Sequence, residues 1–352
     1  MGGSRLRAVT TLAVAGALLL GAAACAGDDD DDSGPAEDGS TGSFTLYSGR
    51  NENLIEPLIE QFQSETGITV DVRYGDTAQM AAQLLDEGDR SPAQVFLAQD
   101  AGALGAVSKA GMFDPLPDEV LEVVPEAYQG AGGDWVGVTG RSRVLVYNQE
   151  LVDESELPDS VFELTEPQWE GRVGVAPTNG SFQAFVTAMR VQHGDDATAD
   201  WLAGIADNDP QIRERNGQIL DDVNAGRIEV GLVNHYYLHE LAKEEGVPFE
   251  EMPAQNYYFP AGDTGALMNI SGIGVLAGAI EDADVRTFVD YLLSTEGQAF
   301  FTEQTSEYPM VAEVDAPAEL PELAGLEAPE INLNDLDSLE ETVVMITESG
   351  LA

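Results

Sequence analysis

In the sequence Gly231-Leu232-Val233-Asn234-His235-Tyr236-Tyr237-Leu238-His239, an apolar run leads into two adjacent tyrosines. The run over residues 228–233 predicts a short buried strand, and open α/β sheets bind ligands at the C-terminal ends of such strands. Neighbouring side chains on a strand point in opposite directions, so both tyrosines reach one ligand only if the strand turns into a helix there. One interpretation is a pair of phenolates that bind a hard cation. The other is two half-buried aromatic rings whose hydroxyls contact water.

Three further strand-like runs precede this stretch, and each is followed by a helical pattern. The runs cover residues 44–48, 68–74 and 95–98, and the apolar residues after them recur at helical spacing. This alternation with short turns predicts a parallel, doubly wound α/β sheet. The loops that follow the strands are therefore predicted to line one crevice, and they are Ser48 to Asn51, Gly75 to Thr77 and Gln99-Asp100.

The same alternation recurs later in the chain, after which a glycine-rich apolar run over residues 269–276 is predicted to return to the first sheet. We therefore predict two lobes joined by crossing strands, an N-lobe of residues 43–138 plus 269–312 and a C-lobe of residues 139–268. A cleft between such lobes is where a ligand binds, and the lobes open and close about the crossing strands. Residues 313–352 are predicted to form an acidic C-terminal extension with a terminal helix.

A polar interruption, Thr139-Gly140-Arg141-Ser142, separates two apolar runs within residues 135–147. Glycine lets backbone N–H groups turn toward a ligand, and the two hydroxyls add donors, so one interpretation is a small anion site. The other interpretation is a crossover strand with a bulge. The pattern alone favours neither.

The N-terminus predicts export. Arg5 and Arg7 precede an apolar run too short to span a membrane, and small residues then lead to Cys25, the only cysteine in the chain. Residues 1–24 are predicted to be a signal peptide, and Cys25 the lipidated first residue of a lipoprotein held at the outer face of the cell membrane. Residues 25–42 predict a disordered acidic tether. An ordinary secretory signal is the alternative.

The chain is strongly acidic. Its formal net charge is −49, with 64 acidic residues against 15 Lys and Arg. A phosphate backbone would be repelled, so nucleic acid is excluded as a partner. Such a field attracts cations. Because the acidic residues are spread along the whole chain, adaptation to a saline habitat explains the charge better than a cationic ligand does.

Five segments, taken in order, resemble the ferric-ion-binding solute-binding proteins of ABC importers. They are Leu46-Tyr47-Ser48-Gly49-Arg50, Ser91-Pro92-Ala93-Gln94-Val95-Phe96, Gly140-Arg141-Ser142-Arg143-Val144, Asn234-His235-Tyr236-Tyr237 and Glu307-Tyr308-Pro309. The resemblance covers residues 44–310. It implies a two-lobed periplasmic-binding-protein fold that captures Fe³⁺ and passes it to a membrane ABC permease with its ATPase. We expect a monomeric binding protein and not an enzyme.

The resemblance also implies roles for single residues. Tyr236 and Tyr237 match the paired tyrosine ligands of iron. Some members hold a synergistic phosphate, and the corresponding positions here are Thr139, Gly140, Arg141, Asn216 and Asn234. Carbonate or citrate could fill the same role. A second tyrosine pair, Tyr257-Tyr258, resembles a place where relatives carry two apolar aromatic residues and is predicted to pack.

The remaining iron ligands depart from the family pattern. Where such members have a histidine after the first strand and a glutamate after the third, this chain has Asn51 and Gln99, neither of which is a strong ligand. Asp76 and Asp100 are predicted to lie in the same crevice, and they are the candidate substitutes.

Phenolate oxygen suits Fe³⁺ because the ion is small, hard and highly charged. A free phenol, with a pKa of about 10, keeps its proton at neutral pH, but a bound trivalent ion stabilises the phenolate. Two phenolates and a phosphate would leave an anionic cluster, which N–H groups at a helix N-terminus stabilise. Acid is expected to release the iron because it protonates the phenolates.

Two other classes of function stay open. A binding protein of the same fold could take a phosphonate- or sulfate-type oxyanion, or a thiamine- or polyamine-type organic cation stacked on the tyrosines. A surface metallohydrolase is a remote alternative. His235 and His239 have zinc-like spacing, but the zincin pattern needs Glu directly after the first histidine, where Tyr236 stands.

Overall fold

The computed structural model describes residues 42–326 and 328–352. The predicted signal peptide, Cys25 and all of the predicted tether before Gly42 lie outside the described residues. Within the described part the strands are β1 Ser43–Ser48, β2 Thr69–Tyr74, β3 Val95–Ala98, β4 Trp135–Asn148, β5 Val173–Val175, β6 Gln211–Ile212, β7 Val230–Asn234, β8 Ala254–Tyr257, β9 Met268–Val275 and β10 Tyr308–Pro309.

Helices follow or separate most of these strands. They are α1 Glu52–Thr66, α2 Thr77–Glu87, α3 Ala101–Lys109, α4 Asp118–Leu121, α5 Gly180–His193, α6 Asp195–Asp207, α7 Asn216–Asn224, α8 Tyr236–Glu245, α9 Ala283–Leu293, α10 Thr295–Thr305 and α11 Leu339–Glu348. Short 3₁₀ turns connect them, among them Thr264–Ala266 and Leu333–Asp337. None of the helices in residues 42–326 and 328–352 combines the length and hydropathy needed to cross a bilayer.

The strands form one mixed sheet in the order β2-β1-β3-β9-β4-β7-β5-β6, with β8 and β10 also paired to β4. β1 runs parallel to β2 and β3, as the strand–helix alternation predicts. β9 lies antiparallel between β3 and β4, which confirms that the run over residues 269–276 returns to the first sheet. The α/β fold class is confirmed, although the antiparallel β4 and β9 make the sheet mixed rather than wholly parallel.

β4 connects the two halves of this sheet. Its first residues, Trp135 to Ser142, pair with β9, and Arg143 to Tyr147 pair with β7. All fourteen residues of the strand are buried. β1, β2, β3, β9 and β10 therefore form one half with the start of β4, and β5 to β8 form the other half with its end. The lobe boundaries after residues 138 and 268 stay predictions; the pairing partner of β4 changes after Ser142.

β4 continues through the polar interruption Thr139-Gly140-Arg141-Ser142. The pairing of β4 with β9 shifts register between Gly137 and Thr139, as expected for a crossover strand with a bulge, and the anion-site interpretation stays a prediction. The polar side chains stay inside because they find protein partners. The Thr139 hydroxyl donates to Glu307, and the Ser142 hydroxyl donates to the Arg143 carbonyl at 3.0 Å.

The C-terminal segment packs against both halves of the molecule. Leu333–Asp337 lies on α3, where Gly105 approaches the backbone so closely that a Cβ would sit 2.6 Å from the Asn334 carbonyl oxygen. The Trp135 indole donates to the Asn334 side chain at 2.8 Å. α11 lies on α5, where the Thr187 and Thr342 hydroxyls are 2.8 Å apart. The predicted terminal helix is thus present, and it sits beside the cleft.

Candidate metal centre

One cavity of about 850 Å³ lies between the two halves of the sheet. The loops after β1, β2 and β3 line it from one side, as predicted, and the start of α5 and α8 line it from the other. Seven of the predicted site residues contribute to its wall, namely Asp76, Gln99, Asp100, Arg141, Asn234, Tyr236 and Tyr237. The C-terminal segment forms a further part of the wall.

The two tyrosines begin α8, directly after β7 ends at Asn234. Their rings are stacked, with centroids 4.4 Å apart and planes 25° from parallel. The predicted turn from strand to helix is therefore present, and it brings both side chains to the same cavity. Adjacent positions on a continuing strand could not do this.

His235 fixes this turn from inside the protein. The Ser142 N–H donates to Nδ1 at 3.1 Å, so Nε2 donates to the Ser306 carbonyl at 2.9 Å. Burial lowers the pKa of His235 to about 4, so the imidazole is neutral. His239 stacks on Phe249 at 4.2 Å. Neither histidine lines the cavity, and among the described residues no three His, Cys, Asp or Glu side chains form a metal-holding group.

The Tyr236 phenol is protonated when no metal is bound. Burial raises its pKa well above the ordinary value of 10, and the neighbouring Tyr237 raises it further, while the Arg141 guanidinium opposes the shift. A metal ion must therefore displace the Tyr236 proton, so cation affinity at this position rises with pH.

The candidate ligands from the first half of the sheet divide into two kinds. Asn51 is exposed, caps α1 by accepting from the Asn53 N–H at 3.0 Å, and does not line the cavity. Gln99 lines the cavity, and its backbone carbonyl accepts a hydrogen bond from the Arg141 guanidinium. Asp76 and Asp100 line it too, although each also caps a helix. The two carboxylates are therefore better placed than Asn51 to meet a cation.

The pKa of the Asp100 carboxyl is shifted on this side of the cavity. Burial raises its pKa, and the charge of Asp76 adds to the shift, whereas the Ala103 N–H and Arg141 lower it. A bound cation would favour the ionised form of Asp100.

Three of the predicted anion residues do not reach the cavity. The Thr139 hydroxyl is used by Glu307, and Gly140 is covered, since a Cβ there would lie 2.6 Å from Met310 Cε. Asn216 donates through Nδ2 to the Ser181 hydroxyl at 2.9 Å, behind the cavity wall. The roles of Thr139, Gly140 and Asn216 as anion ligands stay predictions, and the buried positions of these residues give them no support.

The start of α5 also lines the cavity, and sequence reasoning missed this position. Thr178, Asn179, Gly180 and Ser181 line the cavity. The Asn179 side chain caps the helix by accepting from the Ser181 N–H at 3.0 Å. The Phe182 and Gln183 N–H groups donate to the Asn179 carbonyl, so the Gly180 N–H and the helix dipole are what this N-terminus offers an anion. The signal in the sequence is a strand followed by Pro177 and the cap residue Asn179, but several helices start with such a cap.

Arg143 is a second group that sequence reasoning did not place. It is 2% exposed, and it donates to the Leu232 carbonyl at 2.9 Å, with longer contacts of 3.3 Å to Asn234 Oδ1 and the Ser181 hydroxyl. Among the described residues no carboxylate lies within salt-bridge distance of it. Burial lowers its pKa to about 9, and the two tyrosines oppose this shift. A buried cation without a carboxylate partner favours negative charge on its neighbours.

A cleft lined by phenol, amide and carboxylate groups from both halves of one sheet is suited to binding a small ligand. Residues 91–337 match the family described as bacterial extracellular solute-binding protein. The chain therefore belongs to that family.

Relatives and solved structures agree with this assignment. The chain is 33% identical over 307 residues to an Fe(3+)-binding periplasmic protein of Serratia marcescens, covering 87% of this chain and 90% of the relative. Iron-bound HitA from Pseudomonas aeruginosa is 35% identical, with a TM-score of 0.79, covering 88% of this chain and 99% of that one. A Trichodesmium protein in complex with iron and citrate is 26% identical, with a TM-score of 0.74, over 88% of this chain and all of that one.

Proposed function

We propose that this protein captures Fe³⁺ outside the cell and delivers it to the membrane permease of an ABC importer. The observation that carries the proposal is the stacked pair Tyr236 and Tyr237 at the cavity, with the buried Arg143 guanidinium behind it. Phenolates are hard ligands for a trivalent ion, and a fixed positive charge helps to form them. The names of the relatives, which include ferric-iron-binding proteins, support the same cargo.

The proposed coordination uses both halves of the molecule. Tyr236 and Tyr237 supply phenolates from the second half, and Asp100 is the carboxylate that we place first among the ligands from the other half, with Asp76 and Gln99 beside it. A synergistic anion, phosphate or carbonate, would lie at the start of α5 with Asn234 and Arg141. The Asn234 Oδ1 is occupied by Arg143, so its Nδ2 group is the donor that it offers.

The biological setting follows from the family and from the N-terminal sequence. We propose an exported protein that is a carrier and not an enzyme, held at the outer face of the membrane by lipid on Cys25. We propose that the protein is a monomer and that its partners are a membrane permease and the ATPase of that permease. The acidic surface gives no reason to expect nucleic acid.

The test of this function is to add Fe³⁺ with phosphate to the metal-free protein. A visible phenolate-to-iron charge-transfer band is expected, together with release of phenol protons. Thiamine and methylphosphonate serve as rival ligands in the same titration. A protein that stays colourless with iron and binds either rival would contradict the proposal.

Replacing Arg143 with methionine is expected to weaken Fe³⁺ binding by roughly tenfold to a hundredfold, because a buried charge that favours the phenolates is lost. Its pKa of about 9 leaves it charged at neutral pH, so the effect is electrostatic there. The measured pH dependence of binding should move to higher pH, since the phenols become harder to ionise. Arg172→Met, on a partly exposed arginine outside the cavity, is the control. An unchanged pH profile for Arg143→Met would contradict this role.

A further inference from the structure

The outer part of the cleft has an apolar wall that a bare metal ion does not need. Leu85 of α2 and Val343 and Val344 of α11 are 44%, 38% and 51% exposed, and all three line the cavity. Large apolar side chains exposed in a cavity favour an occupant with an apolar part of its own. This wall belongs to the same cavity as the tyrosine pair.

The volume of the cavity leads to the same conclusion. It measures about 850 Å³, within the range of roughly 300–1,000 Å³ for pockets that enclose drug-sized ligands. A water molecule takes about 30 Å³ of liquid volume, so an iron ion with one phosphate would fill a small fraction of this space. The remaining space extends along α11 and α2.

The charges around the cavity restrict the occupant further. Carboxylates of Asp76, Asp100, Asp337 and Glu340 line the cavity, and Arg141 is the basic residue among its described lining. Asp337 is paired with Lys109 at 2.8 Å, so most of the negative charge of the cavity wall comes from the other three carboxylates. Among iron chelates, this balance favours one of neutral or positive charge over a strongly anionic one.

The metal ligands leave room for a chelator. Fe³⁺ takes about six hard donors, and the tyrosines supply two of them. On the opposite side Asn51 points away and the two aspartates also serve as helix caps. A chelator with four oxygen donors would take the coordination positions that Asp100 and the synergistic anion hold when iron binds with phosphate.

We propose, on the basis of the function above, that the cargo is a ferric chelate of the hydroxamate class, whose hydrocarbon linker packs on Val343, Val344 and Leu85. A linear dihydroxamate gives up two protons and leaves the iron complex with a single positive charge. Tyr236 and Tyr237 then each release a proton to solvent, and their phenolates displace the two water molecules that complete the coordination of the chelate. α11 thereby determines which chelates fit.

The probe is Fe³⁺ mixed one to one with suberodihydroxamic acid, compared with Fe³⁺ plus phosphate and with ferric citrate. Native mass spectrometry reports whether chelator and metal enter together, and the charge-transfer band reports phenolate ligation. Val344→Trp fills the apolar part of the cavity, and Val191→Trp is the control, because Val191 is 39% exposed on α5 and does not line the cavity.

The unmodified protein is expected to bind the dihydroxamate complex as a whole and more tightly than ferric citrate. Val344→Trp should lose roughly tenfold in affinity for that complex while iron with phosphate binds as before, and Val191→Trp should lose nothing. Iron–phosphate binding with no uptake of the chelate, or chelate binding that Val344→Trp leaves unchanged, would overturn this inference and leave the proposed function standing. A protein that binds neither form of iron would overturn both.

Discussion

Replacing either Tyr236 or Tyr237 with phenylalanine is expected to lower the affinity for Fe³⁺ by at least about a hundredfold. Each variant removes one anionic oxygen from the metal and leaves the rest of the ring in place, so the stacked arrangement at 4.4 Å can persist. Competition with a chelator of known iron affinity measures the change. The charge-transfer band should weaken in each single variant and disappear in the double variant.

The matched controls for this experiment are Tyr257→Phe and Tyr258→Phe. These residues form the second adjacent tyrosine pair of the sequence, and neither lines the cavity. Tyr257 packs edge-on against Phe259 at 5.5 Å, in keeping with the packing role predicted for the pair. Iron affinity should be unchanged in both controls. A loss equal to that of the Tyr236 and Tyr237 variants would mean that general disturbance, rather than phenolate ligation, explains the result.

Replacing Glu307 with glutamine is expected to destabilise the fold by roughly 3–5 kcal/mol at neutral pH, because it leaves the Arg50 guanidinium buried without a counter-charge. The two side chains are 4% and 2% exposed and form a two-point pair, with both N–O distances 3.1 Å. The pair joins the loop after β1 to the segment before β10. Urea unfolding at pH 7 measures the change.

The pH dependence of this effect has a defined sign. Burial alone would raise the pKa of Glu307, but the charges of Arg50 and Arg141 and the Thr139 hydroxyl hold it below the ordinary value. The stabilisation is therefore complete above the unfolded-state pKa and is lost as the pH falls through the folded-state value. The difference between the unmodified protein and Glu307→Gln should shrink in acid.

An exposed ion pair supplies the control. Arg227 is 60% exposed in its pair with Asp222, and Arg227→Gln should cost no more than about 1 kcal/mol. The double variant Arg50→Met with Glu307→Leu should regain much of the loss, since apolar residues can replace a buried pair. Equal effects for Glu307→Gln and Arg227→Gln would show that burial of the pair does not matter.

Local sequence patterns predict the strands and helices whose formation depends on residues close to them in the chain. The apolar run before Asn234 predicts β7, because the periods of strands and helices are local properties of the sequence. The turn into α8 was predicted because both tyrosines can reach one ligand only if the strand ends there. The return of β9 to the first sheet was likewise predicted from its composition. The strand–helix alternation supplied the fold class for the same reason.

The groups that sequence reasoning missed, and the partner that Thr139 finds, depend on contacts between distant segments. Thr139 was predicted to bind an anion, but Glu307, 168 positions later, takes its hydroxyl. Arg143 lies behind the tyrosines only because β4 pairs with β7. No local pattern distinguishes the start of α5, which lines the cavity, from other capped helix starts, and none reveals that Val344 lines the same space. Such placements follow from the sheet order.

The most direct measurement is anomalous diffraction at the iron absorption edge from crystals of the iron-loaded protein. A single strong peak is expected within bonding distance of the phenol oxygens of both Tyr236 and Tyr237. An iron peak that lies beyond bonding distance of both phenol oxygens would contradict the proposal that this protein holds Fe³⁺ through its paired tyrosines.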